Sequence, residues 1–419
     1  MTYPDSVRFL YSLGNEIKSV KLGLGPMREL MGELGNPQDR LRIVHVAGTN
    51  GKGSTCAMID AGLRAAGHRV GLYTSPHLSE PTERIEVNGT PVTDEQFRLA
   101  FEAVHEAAAR LETRGVIEHH PTYFETVTAM AFLLFDQLKV EILVCETGLG
   151  GRLDATNIVH PELCVITAID FDHEQYLGNT IEKIAGEKAG IIKRGVPVVC
   201  AKQRPEARSV IEGKARECEA PFIDVEQWQV TGLEVNARGC RYTARDLHVE
   251  CPLAGEHQIE NSLTAAIALA ELKTSPEGIA GTVWPGRLER LSENPEIIAD
   301  GAHNPAGARA LAAYIDRFYA TRPIWMIYAT MRDKAIEEIA GLLFARATRI
   351  LVTAPESQRA LRPESMRETF PDQRIEVASD LAAALDIARR ELPPDGVIFI
   401  TGSLYLVGEA RRLLSDTEK

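Results

Sequence analysis

The stretch "HVAGTNGKGST", His45 to Thr55, decides how this chain is read. It follows the apolar run "RIV" and opens a segment that stops at Gly67, so it joins a strand to a helix. A standard phosphate loop places four residues between its first glycine and a Gly-Lys pair. Here Gly48 and Gly51 are only three apart, and Gly53 separates Lys52 from Ser54. A glycine-rich turn into a helix still aims backbone N–H groups and the positive helix end at one point. Lys52 adds a mobile cation, and Ser54 or Thr55 a hydroxyl suited to Mg2+. A plain strand-to-helix turn needs one glycine and gives a lysine no reason to stand at the dipole's positive end. The stretch is read as a phosphate cradle.

Outward from it, strand-like and helix-like segments alternate. "RIVHVAG", a helix from Lys52 to Ala66 and "RVGLYTS" make a βαβ unit. Asn88-Gly89 between alternating residues signals a hairpin. Helices follow near 94–113 and 122–138, then strands in "VEILVCE", "LCVITAI" and "VPVVCA". Gln227 to Leu253 reads as a small antiparallel patch, and "NSLTAAIALAEL" as a helix capped by Asn261 or Ser262. The Pro- and Gly-rich "SPEGIAGTVWPGR" marks a boundary, beyond which "EIIAD", "IWMIYAT", "RILVTA", "IEVAS" and "VIFITGS" restart the alternation. The expected fold is α/β, with a P-loop-containing central domain at 1–283 and a Rossmann-like C-terminal domain at 287–419.

A chain of 419 residues exceeds one ordinary core, which agrees with two domains. Its net charge of −13 and pI near 5.4 argue against nucleic acid or an anionic membrane as partner. The seven cysteines lie far apart, several in apolar runs, and read as buried thiols. No secretory h-region opens the sequence, and "AMAFLLF" is too short to span a bilayer, so a soluble cytoplasmic protein is expected.

Ligands of parallel sheets gather past the carboxyl ends of strands. Past these strands stand Ser75-Pro76-His77, Glu146 with "GLGGRLDATN", and Asp170, Asp172 and His173. Glu146 suits Mg2+ beside a nucleotide, whereas imidazole is an unusual Mg2+ ligand and leaves His173 ambiguous. Lys188 and Lys193 in "GEKAGIIKRG" follow a helix and read, on chemistry alone, as cations complementing its dipole. Asp300 ends a strand and His303 lies in the loop after it, while Asn304 and Pro305 suit a helix N-cap and first turn.

Together these pieces resemble a known family. "VAGTNGKGST", "TSPHL", "TYFE", "ETGLGGRLDATN", "DHEQYLG", "GEKAGIIK", "HQIENSLTA", "WPGRLE" and "DGAHNP" occur in order, as in folylpolyglutamate synthases and bifunctional dihydrofolate synthases of the Mur ligase superfamily. The resemblance implies a Mur-ligase-like central domain whose ATP loop is Asn50, Gly51, Lys52, Gly53, Ser54 and Thr55. It implies nucleotide contacts at Asn261, Arg287, Asp300 and His303, and Mg2+ ligation by Ser75, Glu146 and His173. It implies that Lys188 is carbamoylated, which overturns the helix-dipole reading, and that Lys52, Lys188 and His173 serve catalysis. Thr122, Tyr123, Phe124 and Glu125, with Leu153, Asp154 and Ala155, fall on segments that line the pterin site. A monovalent cation is a further candidate cofactor. Thr147, where an aliphatic residue is usual, and Phe171 are small departures.

The implied reaction is an ATP-dependent joining of L-glutamate to dihydropteroate or a reduced folate, through an acyl phosphate, by a monomer. The alternative is a Mur-type ligase acting on a cell-wall nucleotide precursor, against which "TYFE" and "GLGGRLDATN" speak. A GTP-driven switch would need an Asn-Lys-x-Asp motif, and no Asn-Lys pair occurs. A non-catalytic nucleotide-binding module would have little reason to keep Lys52, Glu146, His173 and Lys188 together.

Overall fold

A computed structural model describes residues 2–14, 23–332, 335–355, 357, 359–371 and 374–415. Its contacts form two compact units. The first comprises Met1–Gly232, Tyr242–Glu250 and Glu260–Thr282, and the second Leu233–Arg241, Cys251–Ile259 and Val283–Lys419.

The first unit is built on β1 (Arg42–Ala47), β2 (Val70–Tyr73), β3 (Ile85–Val87), β4 (Thr90–Pro91), β5 (Ile142–Glu146), β6 (Leu163–Ile166), β7 (Val198–Cys200) and β8 (Phe222–Asp224). They lie in the order β4-β3-β2-β5-β1-β6-β7-β8. From β2 to β8 the pairs are parallel, and β3 and β4 add the antiparallel hairpin at one edge. Asn88 and Gly89 both have positive φ, the conformation the two-residue hairpin turn demands. Every residue of β2, β5, β6 and β7 is buried, because crossover helices cover a parallel sheet on both faces.

The helix after β1 runs Lys52–Ala65, and Gly67, at φ 89°, ends it as the sequence predicts. Helices Asp94–Thr113 and Tyr123–Gln137 each start in a capping box, Thr93 with Gln96 and Thr122 with Glu125. Phe97, Phe101, Phe132 and Phe135 from these helices are fully buried, each contributing about 1.5–3 kcal/mol of burial.

β9 (Val230–Asn236), β10 (Gly239–Ala244) and β11 (Leu247–Cys251) form a three-stranded sheet where the small patch is expected. The next helix corrects the sequence reading. It begins at His257, so Asn261 and Ser262 lie inside it and cap nothing. Lys188 also sits within helix Ile181–Ala189, in its last turn, rather than after it.

In the second unit, β12 (Glu289–Glu293), β13 (Glu296–Asp300), β14 (Ile324–Tyr328), β15 (Arg349–Val352), β16 (Ile375–Val377) and β17 (Val397–Thr401) take the order β12-β13-β17-β14-β15-β16. All pairs are parallel except β12 with β13. Asn304 caps helix Pro305–Phe318, with Pro305 in its first turn, as expected. The seven cysteines are free thiols, buried except for half-buried Cys218. Among the described residues, no helix is long and apolar enough to cross a membrane.

Candidate active site

At the carboxyl end of β1 the chain enters the phosphate loop, between the ends of β5 and β6. A methyl group added to Gly48 would lie 1.8 Å from Thr167 Oγ1, so only glycine lets the loop pass the end of β6. The N–H groups of Thr49 and Asn50 both donate to Ala168 O, at 2.9 and 3.1 Å. Thr49 Oγ1 donates to Asp170 O at 3.0 Å. The loop is thus laced to the segment that follows β6. Gly51, at φ 82°, caps the helix without a side chain, so no carboxylate or hydroxyl of the cap offsets the helix's positive pole. An added Cβ there would meet Asn261 Oδ1 at 2.2 Å, which places the Asn261 amide directly against the loop.

Lys52 and Glu146 meet in front of that pole. Lys52 Nζ donates to Thr49 O at 3.3 Å and stands 3.8 Å from Glu146 Oε1. Glu146 is 4% exposed, and its second oxygen accepts from the Ser75 N–H at 3.1 Å. One buried carboxylate with a serine beside it fits a hard divalent cation that takes its remaining oxygens from phosphate and water. Among the described residues, no group of three or more His, Cys, Asp or Glu could hold a metal without such help. His173 is fixed differently. It caps the short helix Glu174–Leu177 at φ 52°, its N–H donates to Asp172 Oδ1 at 2.9 Å, and its ring lies 3.8 Å from that oxygen.

Lys188, only 4% exposed, donates from Nζ to Gly48 O at 2.6 Å. Burial, with the Lys52 charge adding to it, lowers its pKa to about 7, while Asp172 and Asp154 pull the other way. Its ammonium therefore loses its proton far more readily than that of an ordinary lysine.

The "GLGGRLDATN" segment packs around this lysine. A Cβ on Gly151 would come within 2.9 Å of the carbonyl oxygens of Glu187 and Lys188, and one on Gly148 would strike the Phe124 ring. Asp154 is buried and accepts from Leu149 N at 2.8 Å, Thr156 N at 3.0 Å and Thr156 Oγ1 at 2.5 Å. Asn157 Nδ2 donates to Arg152 O and Gly190 O, and Lys193 Nζ to Asn157 Oδ1 at 2.7 Å. Of the expected pterin segments, Thr122 and Glu125 form a helix cap and Tyr123 is buried; Leu153 and Ala155 flank Asp154.

In the second unit, Asp300 ends β13 and is 7% exposed. It accepts from Leu288 N and Ala302 N, both at 2.9 Å, and His303 Nδ1 is 2.7 Å from Gly301 O. Arg287 donates to Gly286 O at 3.1 Å. At the carboxyl ends of the adjacent strands β17, β14 and β15, the hydroxyls of Thr401 and Thr353 are buried with no partner among the described residues, and Thr330 lies buried beside the Tyr328 hydroxyl.

Comparison with known proteins settles the family. Residues 46–269 match the Mur ligase middle domain and residues 286–404 the Mur ligase glutamate ligase domain. The dihydrofolate synthase/folylpolyglutamate synthase of Bacillus subtilis is 36% identical, over 94% of this chain and 95% of its own. The chain belongs to the Mur ligases, in their dihydrofolate synthase/folylpolyglutamate synthase branch. Among solved Mur ligases of this branch, the Mycobacterium tuberculosis folylpolyglutamate synthase complexed with ADP superposes with a TM-score of 0.90 at 31% identity, covering 98% of both chains. Escherichia coli FolC in complex with DHPP and ADP gives 0.88 at 28%, covering 100% of this chain and 99% of its own. Family membership makes this chain a ligase and removes the cell-wall alternative from favour.

Of the expected site residues, the structure brings Lys52, Glu146, Ser75 and Asn261 together around one loop. Sequence reasoning missed Thr49, Thr167, His45 and Thr156, whose partners lie more than a hundred residues away.

Proposed function

We propose that this chain binds ATP at the His45–Thr55 loop and uses it to join L-glutamate to the carboxylate of dihydropteroate and of reduced folates. Residues 1–283 would form the ATP- and pterin-binding domain and 287–419 the C-terminal ligase domain. The observation that carries the reading is the meeting of Lys52, buried Glu146 and the uncapped helix end at Gly51. A carboxylate is a poor electrophile, and its activation requires a transferring phosphoryl group to be neutralised on several sides.

Lys52 and the loop N–H groups would cradle the phosphates, with Asn261 holding the loop's shape against Gly51. Glu146, Ser75 and His173 would hold Mg2+, which when bound neutralises the phosphate oxygens. Lys188, whose ammonium burial destabilises, gives up its proton readily to the amine form that takes up CO2; the resulting anionic group would face the same cation. Arg287, Asp300 and His303 would be further nucleotide contacts. No side chain need act as nucleophile, since the glutamate amine attacks the acyl phosphate directly. A monomer free in the cytoplasm agrees with this chemistry.

The reaction leaves an isotopic record. Substrate labelled with 18O in the reacting carboxylate should pass one labelled oxygen to phosphate for each amide formed. Unlabelled phosphate alongside normal amide formation would rule out acyl phosphate activation.

A further inference from the structure

His45 is a fully buried histidine on the strand that feeds the phosphate loop, and the proposed chemistry does not use it. Its Nε2 lies 2.8 Å from Thr156 Oγ1, which lies 2.5 Å from Asp154 Oδ1. The direction of this chain follows from counting hydrogens. Burial raises the pKa of Asp154, but the N–H groups of Leu149 and Thr156 donate to its oxygens and oppose that shift, the pattern of a carboxylate rather than an acid. The single Thr156 hydroxyl hydrogen therefore goes to Asp154, and Thr156 Oγ1 must accept from His45 Nε2–H. The ring's other nitrogen, Nδ1, is buried with no partner among the described residues. A bare lone pair suits that position better than an orphaned N–H.

We infer that His45 and Thr156 are positioning residues: they tie the "GLGGRLDATN" loop to the strand entering the phosphate loop, so that the pterin-binding loop and Lys188 keep a fixed register with the phosphates. The tie closes a ring. His45 precedes Gly48 by three residues, Gly48 O holds Lys188, and Arg152 N, in the same loop as Asp154, donates to Glu187 O beside Lys188 at 2.7 Å. Loosening one link of a closed hydrogen-bonded ring displaces the others. Because the loop's pterin role belongs to the proposed function, this inference rests on that reading.

The test is steady-state kinetics of Thr156→Val and Thr156→Ser, with the His45 ring nitrogens followed by 15N NMR in the whole protein. Thr156→Val should raise the KM for the pterin substrate at least tenfold and leave the KM for ATP within twofold. Thr156→Ser should restore it. Equal changes in both constants, no change in either, or no rescue by serine would overturn the inference. Should Thr156→Val not fold, Thr156→Cys, a weaker donor and acceptor, gives the same comparison. Failure of the wild type to turn over either pterin would sink the proposed function alone. The tie would then be judged by the nitrogen signals: protonation at Nε2 from pH 5 to 9 upholds it, and protonation at Nδ1 refutes it.

Discussion

Lys188 Nζ donates to the carbonyl of Gly48 at 2.6 Å, across 140 residues of sequence. A buried amine is thereby held against the first glycine of the phosphate loop, and burial brings its pKa to about 7. Below that value the amine keeps its proton as an ammonium; above it the free amine can take up CO2. Activity that depends on added bicarbonate should therefore fall away as the pH drops below about 7. In 13C-bicarbonate at pH 8, a carbamate carbon signal should appear in the wild type and be missing from Lys188→Ala. Full activity of Lys188→Ala would remove this lysine from the mechanism; partial rescue by small carboxylates would support it.

Lys52→Ala should lower kcat by about 10²–10³-fold, the usual loss for one donor aimed at developing charge. The side chain is 16% exposed and faces Glu146 across 3.8 Å, so thermal unfolding should shift by only a few degrees. Near-normal turnover would show that the loop does not cradle the transferred phosphate.

Gly51→Ala should weaken ATP binding at least tenfold. A side chain in the left-handed region costs about 1–2 kcal/mol, and this one also strikes Asn261. Adding Asn261→Ala removes the collision but not the backbone strain, so nucleotide titration of the double variant should find it still weaker than wild type. Recovery of wild-type affinity would mean that φ at Gly51 is unimportant.

Asp300→Asn should destabilise the second unit by about 1–3 kcal/mol, because an amide nitrogen would be set against the N–H of Leu288 or Ala302. Urea unfolding of the variant checks this, with an unchanged midpoint as the contrary result.

His45 gives a pH dependence whose sign is fixed. Burial, helped by the Lys193 charge, lowers its pKa from 6.5 to about 3. Between those values the unfolded chain binds a proton that the folded chain refuses, so stability is lost as the pH falls from 6.5 toward 3. The stability of wild type relative to His45→Gln should drop by about 1.4 kcal/mol per pH unit through that window. Parallel acid-unfolding curves would contradict a buried neutral His45.

The fold was legible where physics leaves few choices. The glycines of the phosphate loop announce a strand-to-helix turn, and Asn88-Gly89 a hairpin, because few residues accept their backbone angles. Strands β8 and β12 escaped notice: the first is three residues long and the second, "ERLSE", is partly exposed and polar. Asn261 misled for a physical reason. Asparagine ordinarily caps helices, and here it stands inside one because its amide abuts Gly51. Lys188 by spacing alone is a dipole-complementing lysine; only the fold reveals its burial against Gly48.

The central claim is most directly tested by ADP release with ATP, Mg2+ and L-glutamate, supplying dihydropteroate or tetrahydrofolate in separate reactions. The account predicts release with each pterin, dependent on glutamate and matched by amide product. ADP formed at the same rate without any pterin, or none formed with either, would contradict it.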